Sequence, residues 1–174
     1  MKARKMFRTI ETHTLGHPTR TVVSGFRKIP GNTMGEKFVY MRDNEDSFRK
    51  LLAYEPRGSE IMSCTLITEP CTPGTDFGVL YFEASCWLPM CGHDTIGAAV
   101  ALIESGLADV KEPVTSLKFD TPAGVITVDA KVKDGVVEEV SFLNAPAMVL
   151  KRNVEVDTKE FGKLTLDISG GGNV

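Results

Sequence analysis

The spacing of apolar and polar residues predicts a chain built mainly of short strands. Runs of β-branched and aromatic residues separated by Gly and Pro are typical of strands. Such runs occur at residues 7–12, 21–26, 61–68, 77–84, 116–121, 124–132 and 136–143. The last two indicate a hairpin, because apolar and polar residues alternate over 126–132 and Lys133-Asp134-Gly135 then supplies a tight turn.

Two segments have the pattern of helices. Residues 43–54 begin with two candidate caps, Asp43 and Asn44, and stop before Pro56, so we expect a surface helix there. Its apolar face consists of Phe48, Leu51 and Leu52. The second segment starts at His93 or Asp94 and continues to Ser105, with Gly106 after it. This second helix is apolar nearly all round, which requires burial on most sides.

Many strands and one apolar helix predict an α+β domain. We expect a curved, mostly antiparallel and barrel-like sheet to wrap around this one central buried helix. Cys91-Gly92-His93 then lies at the amino-terminal end of the helix, and the free backbone N–H groups point toward it. After Asn144 the pattern changes to a mixed segment, residues 148–157, and a strand-like run, residues 163–169.

Composition and charge narrow the classes of partner. The chain has 174 residues, is 42% hydrophobic, and carries a net charge of −3 from 20 basic and 23 acidic side chains. Balanced, interspersed charges do not form the basic stripe of a nucleic-acid-binding protein. The basic start lacks the apolar segment of a signal peptide, and the longest apolar run, residues 96–103, is far shorter than the roughly 20 residues that span a membrane. We therefore expect a cytoplasmic protein without nucleic-acid or membrane partners.

The four cysteines predict free thiols. In a reducing compartment, cysteines serve more often as free side chains than as disulfides. The intervals between Cys64, Cys71, Cys86 and Cys91 contain no C-x-x-C pair, so a structural zinc site with His93 is disfavoured. The three glycines at 170–172 follow a strand but precede no helix, which excludes the dinucleotide-binding fingerprint. No metal and no cofactor are expected.

Cys91 is the candidate with the most chemistry. A thiol at a helix amino terminus has its thiolate stabilised by the helix dipole and by unpaired N–H groups, so it can act as a base near neutral pH. Gly92 would let a ligand approach the backbone, and the same N–H groups could hold a carboxylate. Simpler interpretations stay open: Cys91 as a small buried hydrophobe, His93 as a structural hydrogen-bonding residue, and Asp94 as a helix cap.

The residues around Cys91 also carry a resemblance. Met90-Cys91-Gly92-His93 followed by Thr95-Ile96-Gly97 resembles the signature of the proline racemase family, which includes 4-hydroxyproline epimerases and trans-3-hydroxyproline dehydratases. The resemblance covers essentially the whole chain. It extends to His13-Thr14, Gly16, Pro18-Thr19-Arg20, Glu55-Pro56-Arg57-Gly58, Pro122-Ala123-Gly124 and Val140-Ser141-Phe142-Leu143-Asn144.

The resemblance implies a cofactor-independent, two-base mechanism. The family's fold is similar to that of diaminopimelate epimerase, with two pseudo-symmetric domains that each supply one cysteine. Cys91 corresponds to the first, which as thiolate would take the α-proton of proline or hydroxyproline while an opposite thiol protonates the other face. The backbone N–H groups of Gly92 and His93 correspond to those that hold the substrate carboxylate.

The sequence departs from the family pattern at several positions. Each domain of the family supplies one half of the active site, here called a half-site. The second half-site, a Ser-Pro-Cys-Gly-Thr type of motif, does not occur in this chain. Asp94 stands where the family usually has Gly, and its carboxylate would repel a substrate carboxylate and oppose thiolate formation unless it turned away. The other departures are His17 for Glu, Ser59 for His, Ile61 for Asp and Gly170 for an aromatic residue.

These features predict one domain and part of another. Residues 1–144 would form the amino-terminal domain, and residues 145–174 a crossover and the first strand of a second domain absent from this chain. We expect the chain alone to be inactive, and its expected partners are a complementing second-domain polypeptide or a second copy of the chain. The alternative is a non-catalytic domain that binds small amino acids or associates with itself through an exposed edge and apolar face.

Overall fold

A computed structural model describes residues 5–172, which form ten strands and three helices. The strands are β1 (Arg8–Thr14), β2 (His17–Ser24), β3 (Ser63–Thr68), β4 (Phe77–Glu83), β5 (Trp87–Leu88), β6 (Val114–Thr121), β7 (Gly124–Lys133), β8 (Val136–Leu143), β9 (Met148–Thr158) and β10 (Gly162–Gly170). The helices are α1 (Met34–Asn44), α2 (Asp46–Ala53) and α3 (Gly92–Glu104). The basic start at residues 1–4 and the last two residues, 173 and 174, lie outside the described part.

The main sheet has the strand order β1-β2-β3-β4-β6-β7-β8, with the short β5 beside β4. Its pairs are antiparallel except β2–β3 and β4–β6, which confirms a mixed α+β fold with a mostly antiparallel sheet. The expected barrel-like closure is wrong. β1 and β8 form the two ends of the order, and no pairing among residues 5–172 joins them. Instead, α3 contacts both β1 and β8, so a helix rather than a hydrogen-bonded ladder connects the ends.

Helix α3 lies close against β1 and β2. A Cβ atom added at Gly97 would lie 2.3 Å from Thr19 Oγ1, so only glycine permits this approach. The hydroxyls of Thr12 and Thr19 lie 2.5 Å apart, and Thr12 Oγ1 donates to the Gly97 carbonyl at 3.3 Å. With 13 residues, α3 is the longest of the three helices, and none in the described part is long and apolar enough to cross a membrane.

Two apolar clusters lie on the two faces of the sheet. Successive side chains of a strand point to opposite faces. On β4, Val79 and Tyr81 accordingly join the cluster around α3, whereas Leu80 and Phe82 join the cluster of α1 and α2. The sheet is therefore covered by helices on both sides, with α3 on one face and α1 and α2 on the other.

Helix α1 was not predicted from the sequence. The segment 43–54 corresponds to α2, but α1 precedes it and buries only three of its eleven residues, Met34, Lys37 and Met41, so its apolar pattern is weak. A capping signal was present nevertheless. Thr33 Oγ1 accepts from Glu36 N at 3.1 Å, and Glu36 Oε2 accepts from Asn32 N at 2.7 Å. This is the Thr-x-x-Glu pattern of a helix start.

The segment after Asn144 forms two strands where the sequence predicts one. The mixed segment is strand β9, and it pairs antiparallel with β10 as a separate two-stranded sheet. Asn144 Nδ2 donates to the Gly171 carbonyl at 3.0 Å, which ties the end of the hairpin to the start of the segment. The domain boundary at 144 stays a prediction.

The approach of α3 to the sheet can be tested at Gly97. Gly97→Ala is expected to lower the free energy of unfolding by about 1–3 kcal/mol, because the new methyl group overlaps Thr19. Gly35→Ala in α1 is the matched control, since its added Cβ would lie 3.8 Å from the nearest atom, Thr33 Oγ1. The free energy of unfolding of the control should rise by about 0.5–1 kcal/mol, because alanine lowers the backbone entropy of the unfolded chain. Urea unfolding measures both, and equal effects would contradict the close approach.

Candidate active site

Cys91 is the residue that caps the amino-terminal end of α3. Its backbone is extended, and its carbonyl accepts from Thr95 N at 3.0 Å and from Thr95 Oγ1 at 2.7 Å. Thr95 Oγ1 also shares a 2.8 Å hydrogen bond with the hydroxyl of the buried Tyr81 on β4. The first turn of α3 and the neighbouring strand therefore fix the position of Cys91. It lies at the amino-terminal end of the helix, as the sequence predicts, although the helix begins at Gly92 and not at His93 or Asp94.

The Cys91 side chain is a half-buried free thiol, and the other three cysteines are also unpaired. Burial raises the pKa of Cys91 to about 11, and the charge of Asp94 acts in the same direction. The backbone N–H groups of Asp94 and His93 lower this pKa but do not outweigh burial. The expected thiolate near neutral pH is therefore not what this geometry produces, because loss of hydration outweighs the helix terminus.

Asp94 turns into the protein interior. The residue is 0% exposed, its Oδ2 accepts from Ser63 Oγ on β3 at 2.6 Å, and its Oδ1 has no hydrogen-bond partner among the described residues. Burial raises the pKa of Asp94 to about 7, although Ser63 and Cys91 act to lower it. Asp94 therefore bonds a strand instead of acting as the helix cap, which is Cys91.

His93 is held by the turn between β1 and β2. Its Nε2 lies 3.4 Å from the His17 carbonyl, and the two imidazole rings meet edge to face with centroids 4.2 Å apart. Thr14 Oγ1 donates to the His93 carbonyl at 3.3 Å, and burial lowers the pKa of His93. These contacts favour a structural role for the imidazole, while the His93 backbone N–H stays in the first turn of α3.

Gly92 has a packing reason that the sequence did not reveal. A Cβ atom there would lie 2.7 Å from Cζ of Phe142 on β8, so the ring of Phe142 occupies the space beside the helix end. Sequence reasoning also missed Ser63 and Tyr81. Phe142 belongs to a matched family segment and could have been weighed on that ground, whereas Ser63 lies inside an ordinary strand pattern and carries no signal of its own.

The remaining departures lie in other parts of the fold. Ser59 and Ile61 line a surface depression of about 850 Å³ together with Ala84 and Ser85. Gly170 is the last residue of β10. Within residues 5–172, no group of three or more His, Cys, Asp and Glu side chains is placed to hold a metal ion. The structure therefore brings Cys91, Gly92, His93 and Asp94 together with His17 at one end of α3.

Comparison with known proteins relates this chain to one family. The sequence profile described as Proline racemase matches residues 9–174. Over 173 residues the chain is 44% identical to a proline racemase of Clostridioides difficile, covering 99% of this chain and 52% of the relative. It is 41% identical, with the same coverage, to a 4-hydroxyproline 2-epimerase of Streptosporangium roseum.

A solved structure shows the same fold. A hydroxyproline epimerase of Agrobacterium vitis with bound trans-4-OH-L-proline superposes with a TM-score of 0.85 at 24% identity, covering 97% of this chain and 50% of that one. The chain thus spans about half the length of the curated relatives it matches.

The burial of Asp94 makes stability depend on pH. A carboxyl with a pKa of 3.8 unfolded and about 7 folded stabilises the fold while it holds its proton. This contribution is full below about pH 4, decreases as pH rises, and is absent above about pH 7. It amounts to about 4 kcal/mol at 1.36 kcal/mol per pKa unit.

The measurement is urea unfolding of the wild type and Asp94→Asn between pH 4 and 8. As pH rises, the free energy of unfolding of the wild type should fall relative to that of Asp94→Asn by up to about 4 kcal/mol. Asp109→Asn, at an exposed position, is the control and should leave the pH dependence unchanged. A constant difference between wild type and Asp94→Asn would refute the raised pKa.

Proposed function

Because the chain belongs to the proline racemase family, we propose that it supplies one half of the active site of a cofactor-independent racemase or epimerase of proline or hydroxyproline. One observation supports this most directly: the half-buried Cys91 caps α3, beside the first N–H groups of the helix. Those N–H groups have no acceptor inside the helix, and in this proposal the substrate carboxylate accepts hydrogen bonds from them. α3 is, in this proposal, the central helix around which the sheet curves.

The proposed reaction needs two thiols on opposite faces of the substrate. One thiolate accepts the α-proton as the C–H bond breaks, and the other thiol gives its proton to the opposite face of Cα. Cys91 is one of these two groups. The α-proton is a very weak acid, since its removal adds charge beside a carboxylate. Backbone N–H groups of Gly92 and His93 hold that carboxylate and offset the charge, so no cofactor is required.

The second thiol would come from a second domain. None of the 174 residues forms a Ser-Pro-Cys-Gly-Thr type of half-site. In this proposal, residues 1–144 are the amino-terminal domain, residues 145–174 lead into the other, and the second domain belongs to the same or to another polypeptide. A half-site without its opposite thiol can exchange no proton on the second face. The 174-residue chain by itself is thus expected not to invert its substrate.

A second candidate function is self-association, which one observation favours. The β9–β10 hairpin exposes a run of large apolar side chains, each 39 to 74% exposed. They are Met148, Val149, Leu150, Val156, Phe161, Leu166 and Ile168. An exposed apolar ribbon of this kind is typical of an interaction surface. In this alternative, the chain is a non-catalytic module that forms a homodimer and binds small amino acids at α3.

The catalytic proposal can be tested with a chimera. Residues 1–174 are joined to the part of the Clostridioides difficile proline racemase that lies beyond the matched region. The chimera should invert L-proline or trans-4-hydroxy-L-proline, followed in D₂O by NMR and chiral chromatography. Cys91→Ser should lower turnover by at least about 10²-fold, because it removes one acid–base group.

Two controls make the chimera decisive. Cys86→Ser changes an exposed thiol and should leave turnover unchanged. The unmodified 174-residue chain should show no inversion of either substrate. Inversion by that chain alone, or full turnover in Cys91→Ser, would contradict the proposal.

The association candidate predicts a concentration-dependent mass. Sedimentation of the chain should show a dimer or larger species at rising concentration, and Leu150→Lys with Phe161→Lys should shift it to monomer by placing charges on the exposed hairpin. Leu107→Lys with Val110→Lys, at exposed positions outside the hairpin, is the matched control and should not change the mass. A monomer at all concentrations would exclude this candidate.

A further inference from the structure

One buried polar atom beside Cys91 has no role in the reaction outlined above. Asp94 Oδ1 is enclosed by protein and lacks a hydrogen-bond partner among the described residues, whereas Oδ2 of the same carboxyl is satisfied by Ser63 Oγ at 2.6 Å. A buried acceptor without a partner costs free energy, so its persistence calls for an explanation. Thiols are weak donors, and Cys91 carries one within the same helix turn.

Cys91 and Asp94 both belong to the amino-terminal end of α3. Cys91 occupies the cap position of α3, and Asp94 is the third residue inside the helix. An acidic side chain at this third position reaches back toward the cap residue, as in a capping box. Asp94 Oδ1 accepts from no backbone N–H among the described residues, so the thiol is the donor of Cys91 that is left for it.

We propose that the Cys91 thiol donates its hydrogen to the unpartnered Oδ1 of Asp94, and that this contact keeps Cys91 protonated in the resting half-site. This inference rests on the proposed function and deepens it, because it assigns Cys91 as the resting proton donor and Asp94 as a positioning residue. When the opposite base takes the α-proton, the Cys91 S–H bond breaks and its proton goes to Cα. A thiolate then remains beside Asp94, and like-charge repulsion favours its reprotonation.

The mutual influence of the two groups agrees with this contact. The charge of Asp94 raises the pKa of Cys91, and the Cys91 side chain lowers the pKa of Asp94. Glu83 on β4 is the other charged side chain whose field acts on Asp94, and it raises the pKa of that carboxyl. Burial also raises the pKa of Tyr81 on β4 and of Cys64 on β3, so both remain protonated.

Other titratable groups lie farther out in the same region. Arg20 on β2 forms an ion pair with Glu11 on β1 at 2.8 Å, so their charges largely offset each other, and both act on Cys64. His17 and His93 pack against each other at the outer end of the helix. Among these acidic side chains, Asp94 is the one that shares the first turn of α3 with Cys91 and whose charge raises the pKa of its thiol.

The test is the pH dependence of alkylation by iodoacetamide, measured on the 174-residue chain by mass spectrometry of the Cys91 peptide. Only the thiolate reacts, so the midpoint of the rate profile reports the pKa, and the plateau reports access. Wild-type Cys91 should titrate above the ordinary range of a free thiol. Alkylation of the exposed Cys86, followed in the same sample, is the internal reference for reagent activity. Asp94→Asn and Asp94→Gly should each lower the Cys91 midpoint by about one pH unit or more, making alkylation about tenfold faster at pH 8.

Two further variants separate a direct contact from a general field or a folding defect. Glu83→Gln removes a nearby charge without touching the proposed contact and should shift the midpoint less than Asp94→Asn. Ser63→Ala keeps the carboxyl but removes its donor; because Asp94 still carries its charge over the pH range in which Cys91 titrates, the Cys91 midpoint should stay near the wild-type value and above that of Asp94→Asn. Circular dichroism of each variant confirms the fold before alkylation.

An unchanged Cys91 midpoint in the folded Asp94 variants, or an equal shift in Glu83→Gln, would overturn the proposed contact. Alkylation requires no turnover, so these results hold whether or not the chimera inverts proline. Conversely, an active chimera with an unshifted midpoint would leave the proposed function standing and remove this inference alone.

Discussion

The close approach of α3 to the sheet is the constraint on which the candidate site depends. Gly97 lets the helix backbone come within contact of Thr12 and Thr19, so the helix axis is fixed relative to β1 and β2. Six residues earlier, the same approach places Cys91 at the helix end and directs Asp94 toward Ser63 of β3. Any displacement of α3 would move the cap, the thiol and the buried carboxyl together, because all three belong to one rigid element.

Two opposing effects decide the chemistry at this helix end. Unpaired N–H groups and the dipole favour an anion, with a typical contribution of 0.3 to about 2 kcal/mol. Burial disfavours an anion and can shift a pKa by as much as about 3–5 units. At Cys91 burial wins, and the adjacent carboxylate adds to it. A helix amino terminus by itself therefore does not activate a thiol; the water that the surrounding strands exclude matters more.

Much of the fold follows from local pattern, and the failures have physical causes. Most strands and α3 were predictable since their apolar residues repeat at the strand or helix period, whereas β5 and β9 were missed. Cys91 was placed correctly at the amino-terminal end of α3, although not as its cap residue. Helix α1 was not predicted because it buries only one narrow face and its apolar pattern is weak. The partners of the site, Ser63 and Phe142, come from strands distant in sequence, and no local pattern reports which strand end lies beside which helix. For the same reason, the sequence does not show how far Cys91 is buried, so the effect of burial on its pKa could not be weighed against that of the helix dipole.

A carboxyl beside one of two exchanging thiols would make the pair unequal, and thermodynamics limits what that inequality can do. Two enantiomers have equal free energies, so the ratio of forward to reverse kcat/KM is fixed at unity whatever the enzyme. Asp94 could not favour one product at equilibrium. It could only set which protonation form of the free enzyme predominates, and therefore which enantiomer that form binds. The inequality would appear as different kcat values and different KM values for the two enantiomers. Their kcat/KM values would stay equal to each other, because a catalyst alters the path and leaves the end states untouched.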